Sequence, residues 1–286
     1  MTPLPDAPAL GVAQASLFKA LVDDAAVFPP GNAPLEVAVR EHRGHRSSAY
    51  AAMVGPLLVP TSKTARLGEL VGPEEHLRVS LVARPGTAAG EVSDAVATSA
   101  RIPGVAVAGL EVGWVADWRD TFPTDLPLTL EVPRGDDQPD ALADLTRASP
   151  QRPAQAKFRT GPTPTWPWPD ETELATFLRS AIDLAVAFKL TGGLHHAVRG
   201  THDGQDQHGL LNVLVAVHRA LLGAEVADLA DTLRQRDADA LVTAVVALGA
   251  AEAAAVRSSF TAYGCCGVTD PLGELSTLHL LQGVDL

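Results

Sequence analysis

The amino-acid sequence predicts an α/β protein, a closed (β/α)8 TIM-type barrel forming one domain over residues 1–286, and three observations carry that expectation. Eight apolar runs of strand length are spaced along the chain. Segments of helical composition lie between most of them, and strands alternating with helices make a parallel sheet that eight strands can close. No linker, internal repeat or glycine-rich phosphate fingerprint interrupts the alternation. An open doubly wound α/β sheet is the alternative that the same alternation allows.

In chain order the expected strands are Asp24–Phe28, Met53–Pro60, Arg78–Arg84, Val107–Gly113, Leu126–Pro133, Ala154–Thr160, Val186–Thr191 and Phe260–Cys266. Among the helices, Asp170 to Ala185 has the strongest signature. Asp170 can cap it with Glu173 three residues on, and Leu174, Phe177, Leu178, Ala181 and Ile182 share one face. Between the seventh and eighth strands lies a helical insertion, about 195–259, with about three helical stretches. One of these, His208 to Leu222, is apolar nearly all round and stops at Gly223, which predicts burial on several sides. The extra helices suit either a cover over one barrel mouth or a contact between two copies in a homodimer. The run Pro162-Thr163-Pro164-Thr165-Trp166-Pro167-Trp168-Pro169 reads as a stiff loop whose two Trp side chains could wall a pocket.

Composition narrows the partners. Of 286 residues 46% are hydrophobic and 20% charged, with a net charge of −12, which argues against nucleic acid or an anionic membrane surface as the partner; the expected partner is a small-molecule substrate. The opening Met1-Thr2-Pro3-Leu4-Pro5-Asp6 lacks the basic start and apolar run of a signal peptide, and no apolar stretch reaches spanning length. The two cysteines, Cys265 and Cys266, are neighbours, which suits no secreted disulfide framework. These features lead us to expect a cytoplasmic protein. Only four of the 22 basic residues are lysines, so a lysine kept inside an apolar run marks a position where arginine does not serve.

Strand alternation then assigns the inward faces. In Val186-Ala187-Phe188-Lys189-Leu190-Thr191 the large apolar residues face the helices, so Lys189 and Thr191 face the axis. The same argument turns Gln155, Lys157 and Arg159 inward, with Glu131, Glu111 and Arg84 on their own strands. All these charges fall toward the C-terminal strand ends, where barrel enzymes build their sites. Ion-pair networks that merely plug the barrel are the plainer reading.

Two blocks share a plan: Lys157-Phe158-Arg159-Thr160-Gly161 and Lys189-Leu190-Thr191-Gly192-Gly193, 32 residues apart, about one βα unit. A lysine becomes nucleophilic when it sheds its proton, which a neighbouring cation or a dry pocket promotes. Arg159 or the other lysine could supply that cation, and the glycines expose backbone N–H groups to a phosphate or carboxylate. From Ala154 to Gly193 these blocks resemble the sixth and seventh strands of the class I deoxyribose-phosphate aldolases. That resemblance implies a Schiff base on Lys157 with Lys189 as its electrostatic partner. Here Arg159 stands where that family has a small residue, and His195-His196 follows the second block. Over nearly its whole length the chain resembles a group of uncharacterised bacterial proteins that combine a segment like Asp23 to Pro30 with the two lysine blocks and a Leu-His-His sequence.

The expected chemistry is therefore lyase-like. Lys157 attacks a carbonyl, Lys189 and Arg159 tune it, and Glu131 or His195 moves protons. Arg84, Glu111, Arg159, Thr160, Thr191, Gly192, Gly193, His196 and Arg199 are the expected substrate contacts. No cofactor is expected. A metal-assisted hydrolase or isomerase, with zinc on His195, His196, a cysteine and Glu131 or Glu111, is one alternative, although no tight ligand motif such as His-Glu-x-x-His occurs. A non-catalytic barrel that binds a small anion or serves as an assembly subunit is another. His218, within an apolar helix, is expected to be structural, and His42, His45, His76 and His279 to be capping or at the surface.

Overall fold

A parallel barrel of eight strands organises the chain. The computed structural model describes residues 12–122, 125–148 and 152–281, so the Met1–Asp6 segment lies outside the described residues. In chain order come α1 (Val12–Phe18), β1 (Val22–Asp24), α2 (Leu35–Arg46), β2 (Val54–Pro60), α3 (Thr64–Leu70), β3 (Leu77–Val82), α4 (Ala89–Ala100) and β4 (Val105–Gly113). Then follow α5 (Trp118–Thr121), β5 (Leu128–Glu131), α6 (Gln138–Leu145), β6 (Ala154–Arg159), α7 (Glu171–Asp183) and β7 (Phe188–Thr191). A hairpin of β8 (Gly200–His202) and β9 (Gln205–Gln207) precedes α8 (Leu210–Leu221), α9 (Val226–Arg234), α10 (Ala238–Val246) and α11 (Ala250–Ser259). The chain re-enters the barrel with β10 (Phe260–Cys265) and continues into α12 (Thr269–Thr277). Strand order around the barrel is β1-β10-β7-β6-β5-β4-β3-β2, which excludes the open sheet.

Two expectations about elements need correction. The first strand is Val22–Asp24 rather than Asp24–Phe28. The Asp24 carboxylate accepts the Ala26 N–H at 3.1 Å and the Phe28 N–H bonds back to the Ala25 carbonyl, so the chain turns where its apolar residues suggested a strand. The insertion between β7 and β10 contains four helices and a hairpin, one helix more than expected. Its α8 is buried on nearly every side, from Leu210 to Val217, as its composition implied.

The helix α7 begins as predicted, with the Asp170 carboxylate accepting the Glu173 N–H at 2.8 Å. Its face of Leu174, Phe177, Leu178 and Ala181 is fully buried. Phe177 there stacks on Phe158 of β6 at 4.6 Å between ring centres and meets the Phe188 ring of β7 edge-on at 5.3 Å. These rings cover the outer face of the strands that carry the lysines, and so hold Lys157 and Lys189 on the inner face. Lower inside the barrel the filling is polar but uncharged, since Gln155 donates to Thr129 Oγ1 at 2.9 Å and accepts from Thr261 Oγ1 at 2.6 Å. Among the described residues no single helix is long and apolar enough to cross a membrane; α10 and α11 reach that composition only together, bent by 109°.

Candidate functional site

Register places the inward charges side by side. Glu131 pairs with Lys157 across β5 and β6, Lys157 with Lys189 across β6 and β7, and Arg159 with Thr191 one step higher. Their side chains join in one line of alternating sign: Asp23, Lys189, Glu111, Lys157, Glu131, Arg159. Lys189 Nζ contacts Asp23 Oδ2 and lies 2.5 Å from Glu111 Oε1. Lys157 Nζ lies 3.1 Å from Glu111 Oε2 and 3.0 Å from Glu131 Oε2, and Arg159 Nε donates to Glu131 Oε1 at 2.9 Å.

Burial grades along this line. Lys157, Lys189, Glu111 and Asp23 are all buried, whereas the Glu131 side chain is 20% exposed and that of Arg159 34%. The line thus runs from the barrel interior to its mouth. Three acids and three bases cancel, which is how the interior holds them at all. Burial works against the Lys189 ammonium, but Asp23 and Glu111 outweigh it and hold the group above the ordinary lysine range. Burial likewise raises Glu111, yet Lys189 and Lys157 bring it below its usual value. For Glu131, Lys157 and Arg159 overcome burial and set the carboxyl at about 2. Asp23 goes the other way, pushed up by burial that Lys189 only partly offsets.

Asp23 is the network member that the sequence argument missed. The expected strand began at Asp24, whereas the observed β1 puts Asp23 inward and Asp24 outward. Gly55 of β2 makes room for it, because a Cβ there would strike the Asp23 carboxylate. Asp24 meets His42 of α2 at 3.0 Å, so His42 is a buried partner of this segment and not a surface residue. An alternation that set Val22 and Asp24 on one face was the signal available.

Other expected contacts are placed differently. Arg84 lies past the end of β3, is exposed and, with Thr61, Thr64, Thr87, Glu91 and Asp94, lines a cleft of about 490 Å3 apart from the central line, with which it makes no ion pair. Arg199 is buried in the insertion, paired with Glu171 and, at 3.4 Å, with Asp206; its guanidinium already has partners. It also lies 3.3 Å from Nδ1 of His208, whose Nε2–H donates to the Pro169 carbonyl at 2.9 Å; burial sets His208 at about 4 and keeps it neutral. Thr160 donates to the Thr191 carbonyl at 3.1 Å, and a Cβ at Gly161 would collide with the Gly192 carbonyl oxygen. Gly193 lies against Thr160 in the same way, so these glycines let the loops after β6 and β7 cross in contact. Thr191 Oγ1 faces the axis near Gly264.

The histidines after β7 are fastened to α12. His195 Nδ1 lies 3.1 Å from Asp270 Oδ2, and both cysteines reach the same ring, Cys265 at 3.6 Å and Cys266 at 3.5 Å. Cys265 and then Cys266 hold His195 at about 11, well above the usual histidine value. His196 Nδ1 donates to Glu274 at 2.7 Å and stacks on His202. Glu111 and Glu131 belong to the lysines while His195 and Cys265 form a separate group, so the zinc set of the alternative reading is not assembled. Among the described residues no three His, Cys, Asp or Glu side chains are arranged to hold a metal ion. The Trp166 ring of the Pro-rich loop covers Arg134, whose guanidinium lies 5.1 Å from the ring centre. Comparison with known protein families, curated proteins and solved structures finds no match.

Proposed function

We propose that the barrel mouth is the site of a lyase-type enzyme that forms a Schiff base between Lys157 and the carbonyl of a small, oxygenated, anionic substrate such as a sugar phosphate or oxo acid. The observation that carries this reading is the lysine pair: adjacent in register, both buried, and sharing Glu111. Lys189, clamped by two carboxylates, is the fixed cation. Lys157 is the lysine connected to the mouth, through Glu131 and Arg159. The local resemblance of Ala154–Gly193 to class I aldolases supports the same assignment, and the adjacent cysteines suit work in a reducing cytoplasm.

In the reaction, Lys157 sheds a proton that Glu131 relays to solvent at the mouth, and its free amine adds to the carbonyl carbon. Loss of water leaves an iminium. As Glu131 takes the proton of the β-hydroxyl, the bond between the α and β carbons breaks and its electron pair moves toward nitrogen, releasing an aldehyde and leaving an enamine; Glu131 returns that proton to the α carbon, and water adds to the iminium to release product and lysine. Arg159, the exposed end of the line, binds the anionic group, and Thr191 and the crossed glycine loops bound the pocket.

Borohydride treatment with a panel of small aldehydes and ketones, followed by mass spectrometry, tests this. An adduct on the peptide carrying Lys157 is expected, absent in Lys157→Leu. An adduct on Lys189 would exchange the two roles. A substrate that turns over without any adduct would end the Schiff-base reading and leave the pair as an anion clamp.

A further inference from the structure

Beyond β10 stands a second set of reactive groups, which the lysine chemistry leaves unused. His195 is flanked by Cys266, whose Sγ is 3.5 Å from Nε2, and by Asp270, whose Oδ2 is 3.1 Å from Nδ1. Thiol, imidazole and carboxylate in that order are nucleophile, base and orienting group. The Asp270 oxygen only accepts, so Nδ1–H donates to it, and the protonated ring turns its Nε2–H to the Cys266 sulfur. Gly267 permits the contact, since a Cβ there would run into the Asp270 carboxylate.

The two cysteines differ. Cys265 is 1% exposed, donates to the Gly267 carbonyl at 3.2 Å, and is pushed up by burial despite His195. Cys266 is half-buried and follows the end of β10 at the mouth. Gly31 packs beneath it: a Cβ there would come within 3.0 Å of the Cys266 Cβ.

We infer that Cys266 is a nucleophilic thiol that reacts with small hydroperoxides, with His195 as its base and Asp270 as the residue that positions His195. With the thiol proton held on His195 Nε2, the Cys266 sulfur attacks the terminal peroxide oxygen as the thiolate. The O–O bond breaks, and the departing alkoxide or hydroxide takes the proton back from His195. Cys266 becomes a sulfenic acid, oxidised by two electrons, and the peroxide is reduced to alcohol or water. A disulfide between adjacent residues is strained, so an external thiol, not Cys265, returns Cys266 to its reduced form.

The test uses the full chain and needs no turnover, so its outcome is separate from that of the Lys157 reading. Reduced protein is treated with hydrogen peroxide in the presence of dimedone, and fragment masses locate the label. We expect it on Cys266 and not on Cys265, and absent in Cys266→Ser. Iodoacetamide should alkylate Cys266 at pH 7 about tenfold more slowly in His195→Gln. In Asp270→Asn, which alters a half-exposed side chain and spares the core, the rate should fall at pH 7 and recover at higher pH. The groups that bear on that profile are Cys265, Asp270 and Glu274 of α12, and His196. Label on Cys265, no label on either cysteine, or a rate and pH profile unchanged in Asp270→Asn would overturn the inference.

Discussion

Glu111 touches both lysines, and each of its oxygens serves one of them. Removing Lys189 therefore does more than delete a cation beside Lys157. In Lys189→Leu, Asp23 loses its partner and Glu111 turns wholly to Lys157, which makes the Lys157 proton harder to remove. The rise of activity should move to higher pH, and adduct formation at pH 7 should slow. Two buried carboxylates left without Lys189 should also cost about 3–5 kcal/mol of stability, read by urea unfolding. Arg159 lies on the same line, so Arg159→Leu and the double variant belong in the same series, and their coupling should be non-additive.

At the scale of elements, two glycine loops and one helix decide how β6 and β7 sit. The cap at Asp170 serves one N–H of α7, and Asp170→Ala should cost about 1 kcal/mol without changing the site. A methyl at Gly161 strikes backbone, not a flexible side chain, so the loops after β6 and β7 must part. Gly161→Ala should therefore cost more stability than Asp170→Ala and weaken substrate binding as well, read as a raised KM. The helix-facing half of these strands was legible in the sequence, because Phe158, Phe188 and Leu190 alternate with the lysines. The crossing of the loops was not, since it depends on two segments about one βα unit apart meeting at the mouth.

For the whole molecule, the buried charges set a dependence on acid. His208 binds its proton near 4 in the fold, against an ordinary 6.5, so its contribution is full above 6.5 and is lost as pH falls toward 4. That loss is at most about 3 kcal/mol. Glu131, held at about 2 against 4.5, contributes fully above 4.5 and loses its part as pH falls toward 2. The urea midpoint should thus decline from pH 6.5 to 4 and again below 4.5, and His208→Gln should flatten the first decline. An unchanged slope in that variant would show that other groups govern it.

The sequence by itself determined the closed barrel, the inward phase of Lys157, Lys189, Glu111, Glu131 and Arg159, and the cap of α7. Each follows from a period of two along a strand or from neighbours a few positions apart, which are local properties of the chain. Only the tertiary structure decided what these groups meet. Asp23 and Lys189 are 166 residues apart in sequence, Lys189 and Glu111 78, and His195 and Asp270 75. Alternation says which face a side chain takes, but partnership depends on strand order around the barrel and on the height at which each strand stops. Hence Arg84, one residue pair beyond its strand, ended in solvent, Arg199 was captured by Glu171, and Asp23 entered the network once β1 began two residues earlier than its apolar pattern implied.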